Sequence, residues 1–197
     1  MDVEPELVVV KVGGSLYDLP DLGQRLAAWV HRLPASKVLL VPGGGATTDV
    51  VRDLDRCHGL GEATAHDLAM RSLTLNAWFL AAVLRETAIG SLSVCNPLLS
   101  PLTDRVSVLD AHAFWIDDSR NHPDVLPACW DATSDSVAAR AAVVLGASEL
   151  VLLKSVTIAK PYDWTEAARL GVVDPVCWRL LSGALPRVRI VNLRAWC

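Results

Sequence analysis

From Leu7 to Ser15 the chain reads LVVVKVGGS, and few stretches of nine residues leave a fold so little choice. Leu7–Val12 is apolar and β-branched but for Lys11. That composition suits a strand buried on both faces of a parallel sheet, because a half-exposed strand would alternate polar and apolar residues. Gly13-Gly14 follows directly. Two residues without Cβ let the backbone turn sharply and approach a ligand, and successive N–H groups in such a turn form a concavity for phosphate oxygens. Lys11 adds a positive charge beside it. Taken alone, the stretch is equally well a tight turn whose lysine reaches water. A second cluster, Val41-Pro42-Gly43-Gly44-Gly45, decides between the two accounts. Lys37–Val41 forms another short apolar strand ahead of these glycines, and Ala46–Asp55 continues as a helix. Parallel strands in an open α/β sheet end on one edge, so the two glycine loops face a common crevice, where such sheets bind ligands.

A chain of 197 residues that is 52% hydrophobic and 20% charged can bury a sizeable core, and one domain over residues 1–197 is expected. The net charge of −4 leaves no basic footprint, which argues against nucleic acid as a partner. The most apolar stretch, Val137–Leu153, is interrupted by Arg140 and Glu149, and Met1–Glu4 carries no basic segment. The expectation is therefore no membrane and a cytoplasmic location. Cys57, Cys95, Cys129, Cys177 and Cys197 are widely spaced without a CxxC pair and are expected as free thiols. His66, His112 and His122 lack the mutual spacing of a metal site and are given no role. No protein-bound metal is expected.

Along the chain, Leu22, Leu26, Trp29, Val30 and Leu33 mark one face of a helix over Asp18–Arg32, closed by Pro34. Gly59-Leu60-Gly61 breaks the helix after the triple glycine. Thr64, with Asp67 three residues on, reads as the cap of a long helix. Leu68–Leu84 is nearly free of charge and contains Asn76. A helix so apolar all round needs burial on several sides, by the sheet and by a second subunit, so a homodimer or higher homo-oligomer is expected. Leu92–Cys95 and Val106–Leu109 read as strands; Asn96–Pro101 and Ser119–Pro127 read as loops walling a substrate. Trp115 and Trp130 have the size to line a pocket or fill the core. In Trp130-Asp131-Ala132-Thr133-Ser134-Asp135-Ser136, Thr133 or Ser134 caps a helix over Val137–Leu145, and Glu149–Lys154 forms the next strand. Capping accounts for Ser134 well and for Asp131 poorly.

The four motifs, KVGGS, PGGG, the apolar helix with Asn76, and WDATSDSVAARAAVVLGASELVLL, resemble the amino acid kinase family over Leu7–Val156 and stand in that family's order. The chain has neither GxxxxGK(S/T) nor a complete GxGxxG. The resemblance implies an α/β fold: a three-layer αβα sandwich around a mainly parallel open sheet. It also implies phosphoryl transfer from ATP, with Mg²⁺ carried by the nucleotide, to a small anionic phosphate or carboxylate acceptor. Two departures mark the second half. Lys154-Ser155-Val156-Thr157 stands where the family carries a TDVDG-like loop, and no GMxxK-like segment is recognisable in Glu166–Gly183. An abbreviated nucleotide-binding half, about residues 130–197, is expected. With Gly171-Val172-Val173-Asp174 and a terminal Val188–Asn192 strand, the chain is most similar to the small aspartokinase-like branch, which implies an aminomethylfuran-methyl phosphate acceptor of methanofuran biosynthesis.

By resemblance, Gly13, Gly14 and Ser15 hold the transferring phosphate, Gly43, Gly44 and Gly45 hold the acceptor, and Lys11 meets the bridging oxygens. Asp135 orients lysines, and Asp131 receives an ammonium group of the acceptor. Lys154 ends its strand on the same edge as Lys11 and is expected to replace the missing second lysine, since charge developing on ADP calls for a second cation. The alternative is a nucleotide- or ligand-binding storage protein of the same fold without turnover.

Overall fold

The computed structural model describes residues 7–89, 92–158, 164–181 and 187–196. Within them six strands form one open sheet: β1 (Leu7–Val12), β2 (Lys37–Pro42), β3 (Leu92–Cys95), β4 (Val106–Leu109), β5 (Glu149–Lys154) and β6 (Arg187–Asn192). Their order is β3-β4-β2-β1-β5-β6, and every neighbouring pair is parallel. The chain builds outward from β1 through β2 on one side and returns through β5 on the other. Such a reversal opens a crevice at the carboxyl ends of the central strands. Lys11 and both glycine clusters stand on that edge.

The strand period of two divides the core between the faces. Val8, Val10 and Val12 pack with Leu26 and Val30 of α1 (Leu22–His31) and with Leu80 and Leu84 of α3 (Glu62–Arg85). Val9, Leu150 and Leu152 pack on the other face with Phe114 of α4 (Ala111–Asn121), with α5 (Ser134–Val144) and with Cys177 of α7 (Pro175–Leu181). Helices α2 (Gly45–His58) and α6 (Trp164–Arg169) complete the set. Helices therefore cover both faces, which is the expected three-layer α/β arrangement. Ala138, Ala139, Ala141 and Ala142 of α5 are fully buried, and their small side chains let that helix lie close to the sheet. Among the described residues no helix is long and apolar enough to cross a membrane.

Several boundaries differ from the sequence reading, each for a local reason. The first helix begins at Leu22 rather than Asp18, because Pro20 disfavours helical backbone at Leu19. Gly61, at φ 81°, starts α3 one turn before Thr64, so Thr64 lies inside the helix. Asp67, read as its capping partner, binds Arg71 at 2.8 Å and His112 at 3.0 Å instead. Helix α4 occupies the start of the segment read as a loop over Ser119–Pro127; the Asp110 carboxylate caps it by accepting from the Ala113 N–H at 3.1 Å. Thr133, rather than Ser134, caps α5. Cys57, Cys95, Cys129 and Cys177 are free thiols, whereas Cys197 lies outside the described residues.

Candidate active site

Glycine is required where the two loops meet. A Cβ on Gly14 would stand 2.2 Å from the Gly45 nitrogen and 2.6 Å from its Cα, closer than any side chain fits. Gly45 itself has φ 56°, a left-handed conformation that glycine adopts without strain. The second loop is held from behind: Asn76 donates to the Gly43 and Gly44 carbonyls at 2.7 and 2.6 Å, and the Tyr17 hydroxyl donates to Gly43 at 3.0 Å. Burial pushes the Tyr17 phenol well up, so it remains a proton donor at neutral pH. Helix α2 starts at this loop with no side-chain cap. Its first N–H groups and the positive end of its dipole are therefore available to an anion.

Lys11 lies opposite Leu152 in the β1–β5 register, and Lys154 follows two residues later, so the alternation places both lysines on one face of the sheet. The Asp135 carboxylate lies between them, with Oδ1 2.9 Å from Lys11 Nζ and Oδ2 2.6 Å from Lys154 Nζ. All three groups are largely buried. Burial alone would raise the Asp135 carboxyl, but the ammonium groups of Lys11 and Lys154 outweigh it and hold it below the ordinary aspartate value. Burial, and next the like charge of Lys11, pulls Lys154 below the ordinary lysine value against the opposing carboxylate. Two cations on one anion leave one net positive charge beside the glycines.

Asp174 organises the start of α5. Its carboxylate accepts from the backbone N–H groups of Thr133, Ser136 and Cys177 and from the Thr133 hydroxyl. It also accepts from the Ser136 hydroxyl. The N-terminus of α5 is thereby satisfied within the protein, whereas among the described residues that of α2 has no side-chain cap. A hydrogen bond of 2.9 Å between the Ser15 and Ser155 hydroxyls joins the loops after β1 and β5.

The glycine loops and the two lysines border a cavity of about 480 Å³. Lys11, Gly13, Gly14, Ser15, Gly44, Gly45 and Lys154 line it. Gly43 does not; it packs against Gly14 and Val12. Asp131 is exposed and also outside the lining. The loops over Asn96–Pro101 and Ser119–Pro127 contribute no wall; α3, the Trp130–Ser134 segment and Leu170–Val172 do. Arg52 stacks 4.9 Å over the Trp130 ring, whose indole N–H donates to Asp55 at 2.9 Å, so Trp130 is tied to α2 at the cavity edge.

His66, Asp174 and Arg52 had no role in the sequence reading. His66, Met70 and Leu73 share one helix face, a spacing that would have placed the histidine on the inner side of α3. Asp174-Pro175 is a local helix-start signal, with the Cys177 N–H three residues on; its other partners, at Thr133 and Ser136, lie about forty residues upstream, and nothing local announces them.

Glycine loops and paired lysines stand together at the reversal of a parallel sheet in this α/β protein. The family model for the amino acid kinase family matches residues 6–157, and the chain belongs to that family. The [5-(aminomethyl)furan-3-yl]methyl phosphate kinase of Methanocaldococcus jannaschii is 34% identical over 68 residues, which cover 34% of this chain and 31% of that protein. The aligned stretch is thus about a third of the relative's length. Uridylate kinase from Archaeoglobus fulgidus has a similar structure, with a TM-score of 0.62 and 18% identity over 93% of this chain and 89% of that one. UMP kinase from Ureaplasma parvum gives a TM-score of 0.66 and 16% identity over 98% and 91%. At these identities the structural likeness establishes the fold alone. The kinase relatives support a phosphotransferase.

Proposed function

We propose that the chain is an ATP-dependent small-molecule kinase that transfers the γ-phosphoryl group to an anionic acceptor. A phosphate acceptor of the aminomethylfuran-methyl phosphate class is the leading substrate, and a carboxylate is the alternative acceptor. The observation that carries this reading is Asp135 holding Lys11 and Lys154 at the glycine crevice. The nucleotide half, about residues 130–197, is abbreviated in this reading. Lys154 supplies the second cation in place of the GMxxK-like lysine.

Phosphoryl transfer asks a protein mainly to hold two anions in line and to offset their charge. The bond between the γ-phosphorus and the β,γ-bridging oxygen breaks, and a bond from an acceptor oxygen to that phosphorus forms. A phosphate or carboxylate acceptor is already ionised at neutral pH, so no base has to remove a proton. In this scheme Gly13, Gly14 and Ser15 hold the transferring group, Gly44 and Gly45 with the open end of α2 face the acceptor, and Lys11 and Lys154 offset charge on the leaving ADP. Asp135 aligns the two amines. In this reading Mg²⁺ enters with the ATP phosphates. Exposed Leu75, Trp78 and Phe79 on α3 support the expected homo-oligomer, which sedimentation tests.

The test is acceptor-dependent ADP release with UMP, isopentenyl phosphate, acetylglutamate and the aminomethylfuran phosphate. A kinase releases ADP with one of them. A storage protein binds nucleotide saturably and releases none.

A further inference from the structure

One residue of the cavity wall carries a buried, unpartnered polar atom that the phosphate chemistry does not use. His66 is 3% exposed and stands in the α3 wall of the cavity beside Ala69, Met70 and Leu73. Its Nδ1 lies 3.2 Å from the Cys129 carbonyl oxygen. A carbonyl only accepts, so Nδ1 carries the ring proton in this contact. Burial keeps the ring pKa below the ordinary histidine value, and the neutral ring leaves Nε2 a bare lone pair. Among the described residues Nε2 has no hydrogen-bond partner. The groups around it are otherwise engaged. Trp115 presents its ring at 5.2 Å, and Asp67 is taken by Arg71 and His112.

A buried acceptor without a donor is costly, and such an atom calls for an explanation. An anion does not supply one, because a lone pair repels it and because Lys11, Lys154 and the start of α2 already serve anions in the same cavity. What fits Nε2 is an N–H or O–H donor on a ligand whose charged group is held at the glycines. The cavity's remaining wall, with Met70, Leu73, Trp130 and Ala132, suits an apolar or ring-shaped body between the two ends.

We propose that His66 Nε2 is a specificity determinant that accepts a hydrogen bond from a donor group, an amine, on the far side of the acceptor from its phosphate. This rests on the phosphate-acceptor reading above. It also gives the amine a partner that Asp131, exposed and outside the cavity, does not provide.

The experiment compares kcat/KM for [5-(aminomethyl)furan-3-yl]methyl phosphate with that for the analogue carrying methyl in place of aminomethyl. The wild-type chain is expected to prefer the amine by roughly 10- to 100-fold, the range of one hydrogen bond to a charged group. His66→Leu should bring the ratio close to one. His66→Gln, which keeps a side-chain acceptor, should restore part of it and also serves if the leucine variant does not fold. An undiminished preference in both variants, or no preference in the wild-type chain, overturns the proposal. If neither phosphate is turned over, the kinase reading fails for this acceptor class, and the two compounds are compared by calorimetric binding. Tighter binding of the amine, lost in His66→Leu, then still supports the role of His66; equal or absent binding overturns it.

Discussion

Replacing Asp135 with asparagine keeps the shape of the side chain and removes the charge between two buried ammonium groups. At 2.9 and 2.6 Å and an effective dielectric of about 20, each lysine gains about 6 kcal/mol of attraction, before desolvation and the mutual repulsion of the lysines are subtracted. Breaking a buried pair from one side costs about 3–5 kcal/mol net. For a chain of this size that corresponds to a melting temperature lower by roughly 6–20 °C. Calorimetry or circular dichroism measures the loss, and ATP should recover part of it, since its phosphates supply the missing negative charge. Turnover should fall roughly 10²–10³-fold, the usual cost of a lost preorganised electrostatic contact, with acceptor KM little changed.

The pH dependence carries its own sign. The folded-state value of Asp135 lies below the ordinary one. Its stabilisation is therefore present above the unfolded value of about 4 and is lost as pH falls through the folded value. The stability gap between wild type and Asp135→Asn should accordingly narrow in acid. On the alkaline side, Lys154 loses its proton earlier than an ordinary lysine. The rate should decline there, and the asparagine variant should decline at lower pH still, because the carboxylate that holds the proton on Lys154 is gone. Wild-type melting temperature and wild-type kcat in Asp135→Asn would together refute the view that this carboxylate orders the lysines.

Three other substitutions probe separate parts of the argument. Lys154→Met keeps the stem and should cost roughly 10²-fold in kcat by steady-state assay if the amine acts in the transition state; an ordinary kcat would remove it from the mechanism. Gly14→Ala drives a methyl group against the Gly45 backbone at 2.2 Å, so the loops must part, with about 1–3 kcal/mol lost in urea unfolding and weaker ATP binding by calorimetry. Asp118→Asn strands Arg140, which the Asp118 carboxylate binds at 2.8 and 3.0 Å in the buried contact between α4 and α5; denaturant titration should show about 3–5 kcal/mol lost.

What the sequence reveals of this site follows from the range of the forces that build it. Strands β1 and β5 and their terminal lysines were legible because burial on both faces imposes an apolar run, and a lysine at its end breaks that run visibly. The loops were legible because close backbone approach leaves glycine as the residue that fits. Thr133 stood out through capping, a contact made within a few residues, and Asp135 through the family resemblance. Helix α4 was hidden at its carboxyl end because Asp118 is buried there by Arg140, from α5, and a buried charge reads as surface until its partner is known. The tie from Asp174 to α5 and the carbonyl that fixes His66 belong to the same case, because Thr133, Ser136 and Cys129 are remote in sequence from the residues they meet. Asp131 fails in the opposite direction. Its neighbour Trp130 reaches into the cavity edge and Ala132 is buried in its wall, while the carboxylate between them faces solvent. Nearness to a motif places a residue in a segment; whether its side chain enters the site depends on which way that segment turns, and here the turn is set by contacts from α2 and Asp174 that lie far away in the chain.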